Sequence, residues 1–248
     1  MASGPVVSVV MSVYNGEKYL RGAVESILAQ TLEDFEFIVI NDGSTDSTGE
    51  LLEGYARQDE RMKVYHQRNM GLVASLNRGC RLAAGRYIAR MDHDDESLPE
   101  RFARQVEYLE AHPEIAVLDT WIEKMDEGGK TTGVWRSPTT PNLVRWAFFF
   151  GNPIRHSSVL MRRDVVESLG FYGDVPFVED FHLWVRVSEV AGITSLPEVL
   201  TRTRYYKDSL HRQKLDRKRK MVCEIIRSLV SRQLGCEVPM GDVAALYH

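Results

Sequence analysis

Asp92, Asp94, Asp95 and Glu96 put four carboxylates into five positions directly behind the apolar run Tyr87 to Ala89. Like charges this close raise one another's pKa unless a cation neutralises them, so the chemistry they fit is a divalent metal. Hard carboxylate oxygens select Mg²⁺ or Mn²⁺ over zinc, and Mg²⁺ usually takes one or two carboxylates plus the phosphate oxygens of a substrate. The competing reading is a solvated acidic turn that caps the next helix. Ser97 and Glu100 do stand at capping-box spacing with Pro99 near the first turn, but that leaves Asp92, Asp94 and Asp95 without a role. His93 lies among the acids, and a lone loop histidine is more often solvated or hydrogen-bonded than metal-bound. Two further acidic groups invite the same question: the loop Asn41 to Asp46 and the pair Glu179-Asp180.

The elements that must position these residues follow from periodicity. Val6 to Val13 is β-branched and nearly continuous in apolar character, as a strand buried on both faces of a parallel sheet should be. Tyr14-Asn15-Gly16 ends it, and Leu20, Val24, Ile27 and Leu28 then repeat at helical spacing. Phe35 to Ile40 is a second strand, stopped by Asn41-Asp42-Gly43, and Ser47 with Glu50 predicts a capping box for the helix carrying Leu51, Leu52 and Tyr55. Met62 to Tyr65 is a third strand. Leu72, Leu76, Cys80 and Ala83 predict a helix closed by Gly85 as its C-cap, and Tyr87 to Met91 is the fourth strand. Four alternations with short joints predict a doubly wound parallel sheet, in which ligands bind beyond the carboxyl ends of the strands. Both acidic loops stand at such ends, so the fold should bring them to one crevice.

From about Ile115 the alternation stops. Ile115 to Met125 and Thr131 to Trp135 read as a hairpin around Asp126-Glu127-Gly128-Gly129, which predicts mixed or antiparallel strands. Asn142 to Phe150 reads as a short helix, Ser157 to Met161 as a strand, the segment of Leu183, Val187 and Val190 as a helix, and Leu200 to Tyr206 as a late strand. The expected organisation is one domain over 1–207, with a nucleotide-binding half at 6–100 and an acceptor half at 101–207, followed by a C-terminal helical extension at 208–248.

A chain of 248 residues buries roughly 70 to 75% of its unfolded surface, enough for a full core. The formal charge of −4 argues against wholesale nucleic-acid binding. Cys80, Cys223 and Cys236 have no metal-ligand spacing and are odd in number, which fits a reducing cytoplasm. No apolar run reaches a membrane span, and the start of the chain lacks a basic leader ahead of Val6. Neither the dinucleotide fingerprint nor the P-loop pattern follows the first strand.

Taken together, Val7-Ser8-Val9-Val10-Met11-Ser12-Val13-Tyr14-Asn15, Asn41-Asp42-Gly43-Ser44-Thr45-Asp46, Asp92-His93-Asp94-Asp95 and Val178-Glu179-Asp180-Phe181 resemble the successive motifs of the family 2 glycosyltransferases. The resemblance spans about 6–205. It implies a GT-A fold and transfer of a sugar from a nucleotide diphosphate donor with inversion at the anomeric carbon. It also implies Val13, Tyr14, Asn15, Asp42, Asp92 and Asp94 as nucleotide contacts, Asp94 and Asp95 as metal ligands, and Asp180 beside Glu179 as the catalytic base. For Asp42 a physical argument runs alongside: uracil and thymine carry an N–H that cytosine lacks, and a carboxylate is the acceptor that selects for it. Asp46 is open between the same site and a helix cap.

An inverting single displacement needs one base opposite the leaving diphosphate. Glu179 and Asp180 also fit the start of a helix, where acids are favourable. Arg155 and His156, in Asn152-Pro153-Ile154-Arg155-His156, are candidates for diphosphate or acceptor contact, and a core histidine is the alternative. Processive synthases of the family carry Q-x-x-R-W and membrane helices, and neither is present. Trp146 and Phe148 to Phe150 line an acceptor channel or belong to the core. The basic run His211 to Lys220, followed by Val222, Ile225, Ile226 and Leu229, reads either as a peripheral contact with an anionic membrane or as a solvated face over a packed stripe.

The expected function is therefore a metal-dependent (Mn²⁺ or Mg²⁺), non-processive transfer of one sugar from a UDP- or dTDP-sugar to a glycan or lipid-linked glycan. The rivals are a nucleotidyltransferase and a nucleotide-sugar binding protein without turnover.

Overall fold

The run of β-branched residues at the start forms β1 (Val7–Val13), flanked by β2 (Phe35–Asn41) and β4 (Tyr87–Asp92), with β3 (Met62–His66) beyond β2, all parallel. The computed structural model describes residues 4–206 and 215–247. Alternate residues of β1 serve two cores, which is why almost every position is apolar. Val7, Val9, Met11 and Val13 pack beneath α1 (Leu20–Leu28) and α4 (Arg101–Ala111), while Val10 packs with Leu76 and Cys80 of α3 (Leu72–Leu82) on the other face. The helix α2 (Thr48–Ala56) joins β2 to β3. Register aligns Val13 with Asn41 and Ser12 with Asp92, so the loops after β1, β2 and β4 leave the sheet along one edge.

The second half extends the sheet without alternation. Its strands are β5 (Glu96–Ser97), β6 (Ile115–Met125), β7 (Thr131–Trp135), β8 (Leu160–Arg162) and β9 (Gly192–Arg204). The order is β3-β2-β1-β4-β8-β6-β9-β5, with β7 paired to β6. β8 runs antiparallel to β4 and β6, and β9 parallel to β6. The expected hairpin is present, with Gly129 at φ 84 and its N–H donating to Asp126 O at 3.0 Å. The helices of this half are α5 (Pro141–Ala147), α6 (Arg163–Ser168), α7 (Glu179–Val187), α8 (Leu215–Leu234) and α9 (Met240–Tyr247).

Several local expectations need correction. Neither capping box forms. Ser47 makes no side-chain cap, and Asp46 accepts from Thr48 N–H at 3.0 Å instead. Ser97 lies in β5, where its Oγ accepts from Arg101 Nη1 at 2.8 Å, and α4 begins only at Arg101. A local side-chain partner, four residues on, takes the hydroxyl from the cap. Gly85 does not close α3, which ends at Leu82 with Ala83 as its C-cap; a Cβ at Gly85 would stand 2.6 Å from Ser8 N, so the glycine serves a close backbone approach. Ser157 falls in a short 3-10 turn, His156–Ser158, ahead of β8, and Leu200 lies near the end of a much longer strand.

The apolar stripe of α8 packs on the domain. Val222, Cys223 and Ile226 are buried in the same core as Phe181 and Trp184, with Ile225 and Leu229 against it. This is the packed-stripe alternative, and the stripe offers no apolar face to a bilayer. His211, Arg212 and Lys214 of the basic run lie outside the described residues. Among the described residues no helix is long and apolar enough to cross a membrane.

Candidate active site

The crevice edge is built by bracing the β1 loop against the β2 loop. Asn15, at φ 50, accepts from Thr45 N–H at 2.8 Å through Oδ1 and donates its own N–H to Ser44 Oγ at 3.0 Å. Gly16 N–H donates to Thr48 Oγ1 at 2.8 Å, and Glu17 N–H to the Asp46 carboxylate at 3.2 Å. Asn15 and Asp46 thus hold the two loops together, and Asp46 also starts α2. Val13 is buried, while Tyr14 is 48% exposed at the mouth. Asp42, buried below them, accepts from Gln67 Nε2 at 2.7 Å and Met70 N–H at 2.8 Å on Oδ1, and from Gly71 N–H at 2.8 Å on Oδ2. A carboxylate has about four lone-pair sites, so one on Oδ2 stays open. Gly43, at φ 78, permits this packing: a Cβ there would meet Asn69 N at 2.6 Å.

The acidic loop after β4 is graded in depth. Asp92 is half-exposed and ion-paired to Arg90, which is itself only 3% exposed. Asp94 accepts from the Tyr206 hydroxyl at 3.0 Å. Asp95 is buried; Oδ1 accepts from Arg204 N–H at 2.8 Å, and Oδ2 is buried with no hydrogen-bond partner. Burial first, then the Asp92 charge, raises the Asp94 pKa, and burial with the charges of Asp94 and Asp92 pushes Asp95 well above the usual carboxylate range. An orphaned buried oxygen beside a second destabilised carboxylate is the environment a cation would relieve. Among the described residues no three His, Cys, Asp or Glu side chains converge as a protein-only cage. A cation held by Asp94 and Asp95 would draw its other ligands from phosphate and water. His93 packs instead on the β1 loop, with Cδ2 2.7 Å from where a Cβ on Gly16 would stand.

Opposite this loop, Glu179 and Asp180 open α7. They do occupy the helix start, and Asp180 is also aimed by a second element: Asn152 Nδ2 donates to Oδ2 at 2.8 Å, and Phe181 N–H donates to Oδ1 at 2.7 Å. Burial raises Asp180 above its ordinary pKa, and burial with the Asp180 charge pushes Glu179 up to about 7.

The residue that joins the two acidic groups is Arg90. Its guanidinium pulls Asp94, Glu179 and Asp180 down and adds to the burial that lowers His156. One buried cation is thus ion-paired to Asp92 and acts electrostatically on Asp94, Glu179, Asp180 and His156. The sequence reading passed over it, although an arginine inside a buried apolar strand, two positions before four carboxylates, was its own clue. Beneath it, Arg101 donates to Arg90 O at 3.0 Å and Val159 O at 3.1 Å, fixing β4 against the segment before β8.

His156 is partly buried on the acidic pair's side of the crevice. It hydrogen-bonds the Tyr172 hydroxyl at 2.8 Å and lies edge-on to Trp184, and burial with the Arg90 charge lowers its pKa well below the ordinary imidazole value. Arg155 stacks on Trp135 at 4.1 Å with Nε unpartnered. Asn152, Tyr206 and Lys218 were not foreseen as site residues. Lys218 arrives from α8: burial lowers its pKa, while Asp180 and Glu179 pull it back up.

Comparison with known proteins identifies the fold and the family. The profile described as glycosyl transferase family 2 matches residues 8–170. An uncharacterized glycosyltransferase of Haemophilus influenzae is 36% identical over 83% of this chain and 67% of its own length. The amylovoran biosynthesis glycosyltransferase AmsE of Erwinia amylovora is 33% identical over 84% of this chain and 79% of its own. Among solved structures, S. aureus TarS 1–349 with UDP-GlcNAc superposes with a TM-score of 0.73 at 18% identity, covering 97% of this chain and 70% of that one. The mannosyltransferase PcManGT of Pyrobaculum calidifontis, with GDP-Man and Mn²⁺, gives 0.68 at 16% identity over 99% and 69%. Those two likenesses carry the GT-A fold, and the profile with the relatives carries the family: the chain is a glycosyltransferase and belongs to family 2.

Proposed function

We propose that this glycosyltransferase is metal-dependent, inverting and non-processive, and moves a single sugar from a UDP- or dTDP-sugar to a glycan or lipid-linked glycan. The observation that carries the proposal is that Arg90, ion-paired to Asp92, also acts electrostatically on Asp94, Glu179 and Asp180, with Asn152 orienting Asp180. Asp42 supports a uracil or thymine base, because the remaining acceptor site on Oδ2 suits a ring N–H. The fold alone leaves the base open, since TarS is solved with UDP-GlcNAc and PcManGT with GDP-Man.

In this reading Val13, Tyr14 and Asn15 border the nucleotide, and Asp92 and Asp94 face the ribose side. Asp94 and Asp95 would hold Mn²⁺ or Mg²⁺, which supplies charge neutralisation for the leaving diphosphate. Asp180 takes the proton of the acceptor hydroxyl as the acceptor oxygen bonds to the anomeric carbon. The bond from that carbon to the diphosphate breaks, and the nucleoside diphosphate leaves with the electron pair. Asn152 and Phe181 N–H keep the carboxylate aimed. Arg155 and Lys218 supply positive charge on the acceptor side. The enzyme would work in the cytoplasm, and the exposed cations Arg217, Arg219 and Lys220 favour approach to anionic surfaces.

Calorimetry with nucleotide sugars in Mn²⁺ tests the donor assignment. A uridine or thymidine sugar should bind more tightly than its cytidine analogue. Equal affinity for the cytidine sugar would overturn the role of Asp42.

A further inference from the structure

The segment Leu143 to Phe150 is apolar around its whole circumference apart from Arg145, a pattern that belongs to a buried helix. It lies at the surface. Val144 and Phe148 face inward, with Phe148 5.6 Å from Phe181, while Leu143, Trp146 and Phe150 on the opposite side are 53%, 62% and 51% exposed. Spaced i, i+3, i+7, these three make one continuous ridge, and the Trp146 and Phe150 rings lean on each other at 4.6 Å. Singly exposed apolar residues need no explanation, but a ridge of three large ones does.

The stretch of chain that carries the ridge is basic: residues 128–163 contain no Asp or Glu, and Arg136, Arg145 and Arg155 flank the ridge in sequence, whereas Arg162 and Arg163 are turned to the far end of β8, where they donate to Leu109 O and Gly85 O. Trp, Leu and Phe presented beside arginine are the composition of helices that lie in a bilayer interface. The Trp146 and Phe150 rings lean on each other at 48° and do not stand as two separate stacking platforms. The ridge also leads to the site: Phe150 is two residues from Asn152, the partner of Asp180.

We propose that Leu143, Trp146 and Phe150, flanked by Arg145, dock this enzyme on an anionic lipid bilayer, with the mouth beside Asp180 turned toward the membrane surface. The consequence that the acceptor is the lipid-linked kind rests on the function proposed above; the docking does not.

The test uses the full chain and vesicles of phosphatidylcholine with or without phosphatidylglycerol, in the absence of donor and acceptor. The native protein should sediment with the anionic vesicles, and brominated lipid should quench Trp146. The triple variant Leu143→Ser, Trp146→Ser, Phe150→Ser should bind on the order of tenfold to a hundredfold more weakly, with melting temperature and UDP affinity unchanged. Docking is overturned if the native chain stays in the supernatant at low salt, or if the variant sediments equally, which would assign binding to the α8 cations. It is also overturned if analytical ultracentrifugation shows a native dimer that the variant abolishes, which would make the occupant a second copy. Transfer to a soluble acceptor can persist whichever way the vesicle experiment falls, so the two readings fail separately.

Discussion

Replacing Asp180 by Asn preserves the shape of the proposed base and removes its basicity. Both carboxylate oxygens are acceptors, from Phe181 N–H at 2.7 Å and from Asn152 Nδ2 at 2.8 Å. An amide has one acceptor oxygen, so one contact is lost, at about 0.5–1.5 kcal/mol for a net hydrogen bond. Against that loss, burial already raises the Asp180 pKa, and a neutral amide escapes the cost of a buried charge. The two effects oppose each other, and the melting temperature should move by no more than about 4 °C. The rate should fall by about 10² to 10⁴, or roughly 3–5 kcal/mol of barrier.

The assay is release of nucleoside diphosphate at saturating donor and acceptor, with donor affinity measured by calorimetry on the same samples. In the native enzyme kcat should rise with pH through about 7, because Glu179 titrates there and shares its protons with Asp180. Glu179→Gln should lose less activity and no longer show that rise through about 7. Native turnover in Asp180→Asn would refute the assignment. If Glu179→Gln were then the inactive variant, Glu179 would be the base; if both remained active, the pair would only start α7.

Three further outcomes are expected. Chelation should weaken UDP binding at least about tenfold, and Asp94→Asn should do so even with Mn²⁺ present, since two destabilised carboxylates otherwise repel the diphosphate; equal calorimetric affinity with and without EDTA would count against the metal. Glu179 binds its proton more tightly folded than unfolded, so stability should decline as pH rises from about 4.5 to about 7, by at most about 3 kcal/mol at 1.36 kcal/mol per pKa unit; denaturant melts at pH 5 and 8 should show the decline in the native chain and not in Glu179→Gln. Gly85→Ala would put a Cβ 2.6 Å from Ser8 N and should cost about 1–3 kcal/mol, read as a lower melting temperature.

The first hundred residues were legible because local rules and tertiary structure agree there. Two-sided burial forces near-continuous β-branched strands, and Asn, Asp and Gly mark the ends of β1 and β2 where the crevice opens. The acidic cluster could be read from spacing alone, since like charges so close demand an explanation in any fold. The capping boxes failed where a neighbouring side chain did the work instead: Arg101, four residues on, donates to Ser97 Oγ, and Asp46 accepts from Thr48 N–H in place of Ser47. The second half resisted because its pairings are non-local. Ile115 pairs with Gly192, and Glu96 with Arg202, across stretches that no periodicity links.

The same distinction separates the acids from the groups that tune them. Spacing singled out the cluster with Asp94 and Asp95, and the family resemblance pointed to Asp42 and Asp180, whereas Asn152, Tyr206 and Lys218 reach these acidic groups from separate elements. Lys218 is the sharpest case. In sequence it belongs to a basic run that suggests a surface tail, yet Val222, Cys223 and Ile226 fasten the same helix into the core that contains Phe181. Fastening that stripe sets Lys218 beside Asp180 and Glu179, where burial lowers its pKa and the two carboxylates counter the shift. The apolar residues of α8 therefore decide what its charges can do: four residues before Val222, a cation that would be solvated on a free helix becomes part of the electrostatics of the acidic pair.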